Sequence, residues 1–172
     1  MHRKNEKLSL GSLVTLAFLA AIQIVLERFI AINTPFVRIS LGFVPICIAA
    51  INFGPFWTAC MCAAADIIGA LLVPTGPFFP GFTLTAILTG ATYGLFLYRR
   101  SASWKQVLPA VAIVCLVYNL CLDSLWLYII MGKGFLGYIP ARFAKAAIMI
   151  PLQTMAIPAV WRYVKRFAPG TR

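Results

Sequence analysis

Leu8-Ser-Leu-Gly-Ser-Leu-Val-Thr-Leu-Ala-Phe-Leu-Ala-Ala-Ile-Gln-Ile-Val-Leu-Glu-Arg-Phe-Ile-Ala-Ile32 carries no charge before Glu27. It supplies the roughly 20 mostly apolar residues that an α-helix needs to cross a bilayer core. The stretch follows a basic, polar start and lacks a clear small-x-small cleavage site, so it reads as a first transmembrane helix and not as a cleaved leader. The whole chain has the same character: 62% of the 172 residues are hydrophobic and only 11% are charged. Water-soluble domains carry about 25% charged residues, so this chain lacks the polar atoms to clothe a globule of its size.

Six apolar runs, bounded by charge, Pro or Gly, predict transmembrane helices at 8–32, 36–53, 56–73, 82–98, 107–131 and 141–164. The expected fold is an all-α integral membrane bundle of six helices forming a single transmembrane domain over 1–172. Pro45 and Pro151 fall inside spans, where neighbouring helices absorb a kink. The net charge of +11 does not mark a nucleic-acid binder, because six spans leave no soluble domain to carry one; the basic loops suit an anionic leaflet.

Lys and Arg counts set the orientation. With the N-terminus inside, Arg3, Lys4, Lys7, Arg99, Arg100, Lys105, Arg162, Lys165, Arg166 and Arg172 are cytoplasmic, and Arg28, Arg38, Lys133, Arg142 and Lys145 are outside. Ten against five predicts N-in, C-in. The outer cations run against the positive-inside bias, and two readings fit them. Each could snorkel to the headgroups or pair with an acid such as Glu27; together they form an electropositive pocket suited to an anionic ligand.

The outer segment Pro74-Thr-Gly-Pro-Phe-Phe-Pro-Gly-Phe-Thr83 is stiffened by three prolines and turned by two glycines. Phe78, Phe79 and Phe82 on a rigid loop suit a lid over a flat ring system, with an interfacial aromatic belt as the alternative. Asp66 and Asp123 lie within spans, where a carboxylate costs at least about 2.5–3.5 kcal/mol and must face a partner or a wet cavity. Each either ties helices together as an ion pair or contacts a ligand. Small residues mark two packing seams, Ala17-x-x-x-Ala21 in the first span and Ala86, Gly90 and Gly94 in the fourth.

Catalytic patterns are missing from the sequence. The one histidine is His2, and Cys47, Cys60, Cys62, Cys115 and Cys121 all sit in apolar runs, where they read as small buried hydrophobes. No metal site, Cys–His nucleophile, phosphate loop or cofactor motif is present, so ATP-driven work falls to a partner.

The run Thr34-Pro-Phe-Val-Arg-Ile-Ser-Leu-Gly-Phe-Val-Pro-Ile46, then Phe53-Gly-Pro55, Ala65-Asp-Ile-Ile-Gly-Ala70, residues 74–85 and Tyr93-Gly-Leu-Phe96, resembles the folate-family substrate-binding subunit (S component) of energy-coupling factor transporters. The likeness is close over 13–100 and looser beyond, where Asn119, Asp123 and the Arg142/Lys145 pair carry it. It implies a vitamin bound near the outer face of a six-helix bundle. It also implies docking, through Ala17 and Ala21, onto a transmembrane coupling subunit driven by two cytoplasmic ATPases in the bacterial membrane.

Folate suits the residue types. Asp66 could hold the donor edge of its pterin, and Phe78, Phe79 and Phe82 could stack on its rings. Arg28, Arg38, Arg142 or Lys145 could neutralise the glutamate tail, and Thr75 and Thr83 complete the candidate contacts. Riboflavin or a queuosine precursor is the alternative ligand, and a small membrane enzyme acting on lipids the alternative class.

Overall fold

The computed structural model describes residues 9–33, 38–74, 79–100, 103–132 and 139–167. Five helices are long and apolar enough to cross a membrane: Leu10–Arg28, Phe43–Leu72, Pro80–Leu97, Trp104–Ile130 and Arg142–Val164. We label the elements α1 (Leu10–Arg28), β1 (Ile32–Asn33), β2 (Arg38–Ile39), α2 (Phe43–Leu72), α3 (Pro80–Leu97), α4 (Trp104–Ala112), α5 (Asp123–Met131) and α6 (Ile139–Phe167). A π-helical stretch, Ile113–Leu122, joins α4 to α5 in one continuous rod.

Helix α1 begins where the Ser9 hydroxyl accepts the Ser12 amide, and it ends with Arg28 in its last turn, where a cation favours the helix dipole. Its packed face is Leu16, Leu19 and Gln23. Ala17 and Ala21 lie instead on the exposed face, beside Leu13, Val14 and Phe18, and are no part of an internal seam.

Helix α2 is broken at Gly54, whose φ of 79° is open to glycine and closed to most residues. Pro55 follows and has no amide hydrogen to continue the ladder. The chain doubles back there. Gly42, before the first half, lies against Glu27, and the carbonyl of Val73, after the second half, accepts a hydrogen bond from Arg28 Nη1 at 3.4 Å. Both ends of α2 therefore meet the same end of α1, whereas a straight helix of 30 residues would hold its ends about 45 Å apart.

Helix α3 runs antiparallel to the second half of α2. Thr83 bonds Asp66, Gly90 lies against Thr58 and Cys62, and Gly94 lies against Pro55. The absence of a Cβ at Gly90 and Gly94 lets the two backbones touch, as the expected seam requires. The fully buried core is built largely of small side chains, including Cys47, Ala49, Ala50, Cys62, Ala110 and Val111. Side-chain bonds cross it, among them Tyr93 to Gln153 Oε1 at 2.6 Å, Cys115 Sγ to the same oxygen at 3.9 Å, and Thr92 to Tyr118 at 2.9 Å. At the far end the Trp161 indole donates to the Arg100 carbonyl at 3.2 Å.

Three expectations need correction. Residues 38–39 are not helical: Arg38 pairs with Asn33 and Ile39 with Ile32 in a two-residue antiparallel ladder, and α2 starts only at Phe43. The chain leaving α1 must reverse before it can re-enter the bundle, and the ladder satisfies backbone groups during that reversal. Pro45 then falls in the first turn of α2, where its missing amide hydrogen costs nothing, while Pro151 does lie inside α6. Of the five cysteines, Cys47, Cys62 and Cys115 are buried, but Cys60 and Cys121 are exposed on the outer surface of the helices.

The α2–α3 seam makes a direct prediction. A methyl group at Gly94 would meet the Pro55 backbone, and one at Gly90 would lie 2.8 Å from the Thr58 carbonyl oxygen. Gly94→Ala and Gly90→Ala should each destabilise the chain by about 1–3 kcal/mol, as overpacking does. At Gly11 the nearest atom is Ser9 Oγ at 3.9 Å, so Gly11→Ala should leave the thermal midpoint in detergent unchanged or raise it.

Candidate ligand-binding site

The second half of α2 carries Asp66 towards the end of the bundle where α1 stops and α3 starts. Thr83, in the first turn of α3, donates its hydroxyl to Asp66 Oδ2 at 2.7 Å. Arg28 Nη2 lies 3.9 Å from Asp66 Oδ1, with the two side chains 10% and 20% exposed. That separation keeps the charges together without the close forked geometry of a bidentate pair. Gly69, one turn after Asp66 on α2, provides the space: the Arg28 Nε sits 3.2 Å from where a Gly69 Cβ would be. Asp66 is thus partly an interhelical tie and partly accessible.

The start of α3 brings the aromatic rings in. Pro80 occupies the first turn, where proline is favoured, and Phe79 stands at the N-cap. The Phe79 ring meets Phe82 edge-on at 6.4 Å and tilts against Trp126 of α5 at 5.5 Å. Gly81 makes this possible, because a Cβ there would lie 2.5 Å from Phe79 and 2.6 Å from Trp126. Phe79 therefore packs against Phe82 and Trp126. The Trp126 indole N–H donates to the Thr85 hydroxyl at 3.1 Å.

The π-helical stretch and α6 complete the cluster. Arg142 Nη1 donates to the Asn119 carbonyl at 3.0 Å and to Ser124 Oγ at 3.2 Å, fastening α6 to the junction of the π-helical stretch with α5. Helical stretches with i to i+5 bonding often mark functional positions, since the wider turn shifts side chains around the axis. Here the stretch ends at Asp123. The Thr85 hydroxyl donates to the Gly81 carbonyl at 3.2 Å, and Lys145 and Arg142 are the cations acting on Asp123. Among the described residues, nothing donates to the buried Asp123 Oδ1.

The structure thus brings Arg28, Asp66, Phe79, Phe82, Thr83 and Arg142 to one end of the bundle, with Lys145 one turn after Arg142 on α6. Arg38 is placed by its backbone in β2 near the same end. Thr75 and Phe78 lie outside the described residues. The sequence reading left Thr85, Asn119 and Ser124 out of the site and gave Trp126 no role. The available signal was the spacing of Asp123 and Trp126, three residues apart on one helix face next to an intramembrane acid.

An all-helical, membrane-capable bundle with its charges and rings gathered at one end defines a multi-pass membrane protein built around a polar end site. The chain matches the model of the family "ECF transporter, substrate-specific component" over residues 11–161 and belongs to that family. It is 37% identical over 154 residues to the folate transporter FolT of Clostridium novyi (strain NT), with 90% of each chain covered. It is 35% identical over 153 residues to the folate transporter FolT of Leuconostoc mesenteroides, covering 86% of this chain and 82% of that one. A crystal structure of FolT bound with folic acid superposes with a TM-score of 0.84 at 36% identity, covering 90% of this chain and 94% of the other. The chain is accordingly a component of a bacterial membrane transporter and not an enzyme.

Proposed function

We propose that this chain captures folate at the outer face of the membrane and presents it for import by a complex with a transmembrane coupling subunit and two cytoplasmic ATPases. One observation carries the reading: three basic side chains, Arg28, Arg142 and Lys145, lie at the end of the bundle that also holds the Phe79–Trp126 ring pair. Folate has the matching halves, a flat pterin and a glutamate tail with two carboxylates. The folic-acid-bound neighbour and the two folate-transporter relatives support the same ligand. Riboflavin lacks carboxylates and offers these cations no counter-charge.

In this reading the rings of Phe78, Phe79 and Phe82 stack on the ligand, with Asp66, Thr75 and Thr83 around them. Arg28, Arg38, Arg142 and Lys145 neutralise the tail. The reversal at Gly54 supports counting α2 as two membrane-embedded segments, although residues 43–53 extend only about 16 Å. Six segments and the excess of Lys and Arg at the opposite end give N-in, C-in, with the ligand site outside. Exposed Ala17 and Ala21 on α1 suit close approach by the coupling subunit.

Purified wild-type protein should bind about one folic acid per chain without ATP or metal. Arg142→Ala should weaken folic acid by one to two decades, at about 1.5–3 kcal/mol per charge-assisted bond, and weaken a pterin lacking the glutamate much less. Equal losses for both ligands would show that Arg142 does not read the tail. Ala17→Trp or Ala21→Trp should spare folic acid affinity in the isolated chain yet abolish ATP-dependent folate uptake by vesicles holding every subunit; uptake at the wild-type rate would remove the docking role.

A further inference from the structure

The end of the bundle opposite the ligand cluster holds the one non-glycine residue with positive φ among those described: Arg99, at 54°. A residue with a Cβ is kept there only when its surroundings hold it, and such strain gathers at functional positions. Here the surroundings are specific. The Arg99 guanidinium lies over the Tyr98 ring, 5.0 Å from its centroid. A Cβ at Gly54 would lie 3.3 Å from three atoms of the same ring, so the ring is backed by the reversal of α2. A guanidinium stacked on a fixed ring keeps its planar fork of N–H donors for an oxyanion at the ring's edge.

The neighbours add charge of the same sign. The Trp161 indole bonds the Arg100 carbonyl at 3.2 Å, which brings the last part of α6, with Arg162, to the end of α3. Lys105 stands in the first turn of α4. Arg99, Arg100, Lys105 and Arg162 are all exposed, whereas the described acids, Glu27, Asp66 and Asp123, lie towards the other end. The surface just inside this rim is apolar. Leu95, in the last turn of α3, is 63% exposed, and Leu108, one turn after Trp104 on α4, is 44% exposed. Trp104 and Tyr163 are exposed beside the cations, as rings at headgroup level are. A cationic rim above a bare apolar flank matches an amphiphile with an anionic head; an acidic segment in water would meet the rim alone.

We infer that Arg99, with Lys105 and Arg162, forms a binding site for the phosphate of an anionic phospholipid, whose acyl chains lie along Leu95 and Leu108. The stacked Arg99 supplies the directed hydrogen bonds, and the other cations supply field. In the proposed orientation this is the cytoplasmic leaflet. The inference holds whichever ligand the opposite end takes.

The test uses the full-length purified protein in detergent micelles carrying phosphatidylglycerol or phosphatidylcholine with the same acyl chains. Native mass spectrometry reads the bound lipid, and thermal unfolding reads the midpoint. Wild type should retain phosphatidylglycerol over phosphatidylcholine by about tenfold or more, and phosphatidylglycerol should raise its midpoint. Arg99→Gly removes the guanidinium and relieves the backbone. Its midpoint in phosphatidylcholine should match or exceed that of wild type, while its lipid preference falls to within about twofold, the scatter expected of uncoupled changes. Arg172→Gln removes the same charge from the last residue and should keep the preference. A wild type indifferent to the headgroup, or an Arg99→Gly protein that keeps the preference, would overturn the site. Equal losses in Arg99→Gly and Arg172→Gln would do the same, since the preference would then belong to diffuse surface charge. Inorganic phosphate at the lipid's concentration should leave the midpoint unchanged; a rise equal to that given by phosphatidylglycerol would make this a site for a soluble anion and not for a lipid.

Discussion

Inside a bilayer there is no water to satisfy a carboxylate, a guanidinium or a backbone amide, and each polar group must find its partner within the protein. The arrangement of this chain follows from that constraint. Its backbone is mostly helical, and among the described residues the one strand pairing is the short ladder between Ile32–Asn33 and Arg38–Ile39. Its two intramembrane acids and the cations nearest them are drawn to one end, where Arg28 meets Asp66 and Arg142 bonds Asn119 and Ser124. The same desolvation that forces these contacts makes them strong, and it leaves a cluster ready to exchange internal partners for those of an anionic ligand.

Holding that cluster in place requires helices in close contact, without the hydrophobic drive that packs soluble proteins. Small residues provide the contact. Gly94 against Pro55 and Gly90 against Thr58 set α3 on the second half of α2, which fixes where Thr83 meets Asp66. Gly69 and Gly81 act closer to the ligand end, the first admitting the Arg28 guanidinium and the second admitting the Phe79–Trp126 pair. Glycine positions thus link the packing of the bundle to the shape of its site. The exposed face of α1, with Ala17 and Ala21 among larger apolar residues, is left for lipid or a partner.

Hydropathy alone revealed the membrane class and most helix positions, because long uncharged runs have few other uses. The region before α2 was misread for a related reason: Phe36 and Val37 are apolar, but residues 38–39 join a ladder that no hydropathy pattern distinguishes from a helix start. The reversal at Gly54-Pro55 was legible as a boundary between two runs, and the structure adds that both halves return to α1. Arg28, Asp66 and Arg142 stood out as misplaced charges and Phe79 as an aromatic on a proline-stiffened loop. Thr85 and Ser124 did not, since a hydroxyl in a helix usually bonds its own backbone and leaves no trace in composition.

The central claim is that the ligand binds at the Trp126 end of the bundle and not at the end where Trp161 bonds Arg100. Two single-tryptophan variants test it directly, one keeping Trp126 and the other Trp161, with the remaining tryptophans among Trp57, Trp104, Trp126 and Trp161 changed to Phe. On titration with folic acid the Trp126 protein should show a saturable change in emission near one ligand per chain, and the Trp161 protein should show none beyond the inner-filter effect. A saturable response from Trp161 with a silent Trp126 would place the ligand at the opposite end and contradict the account.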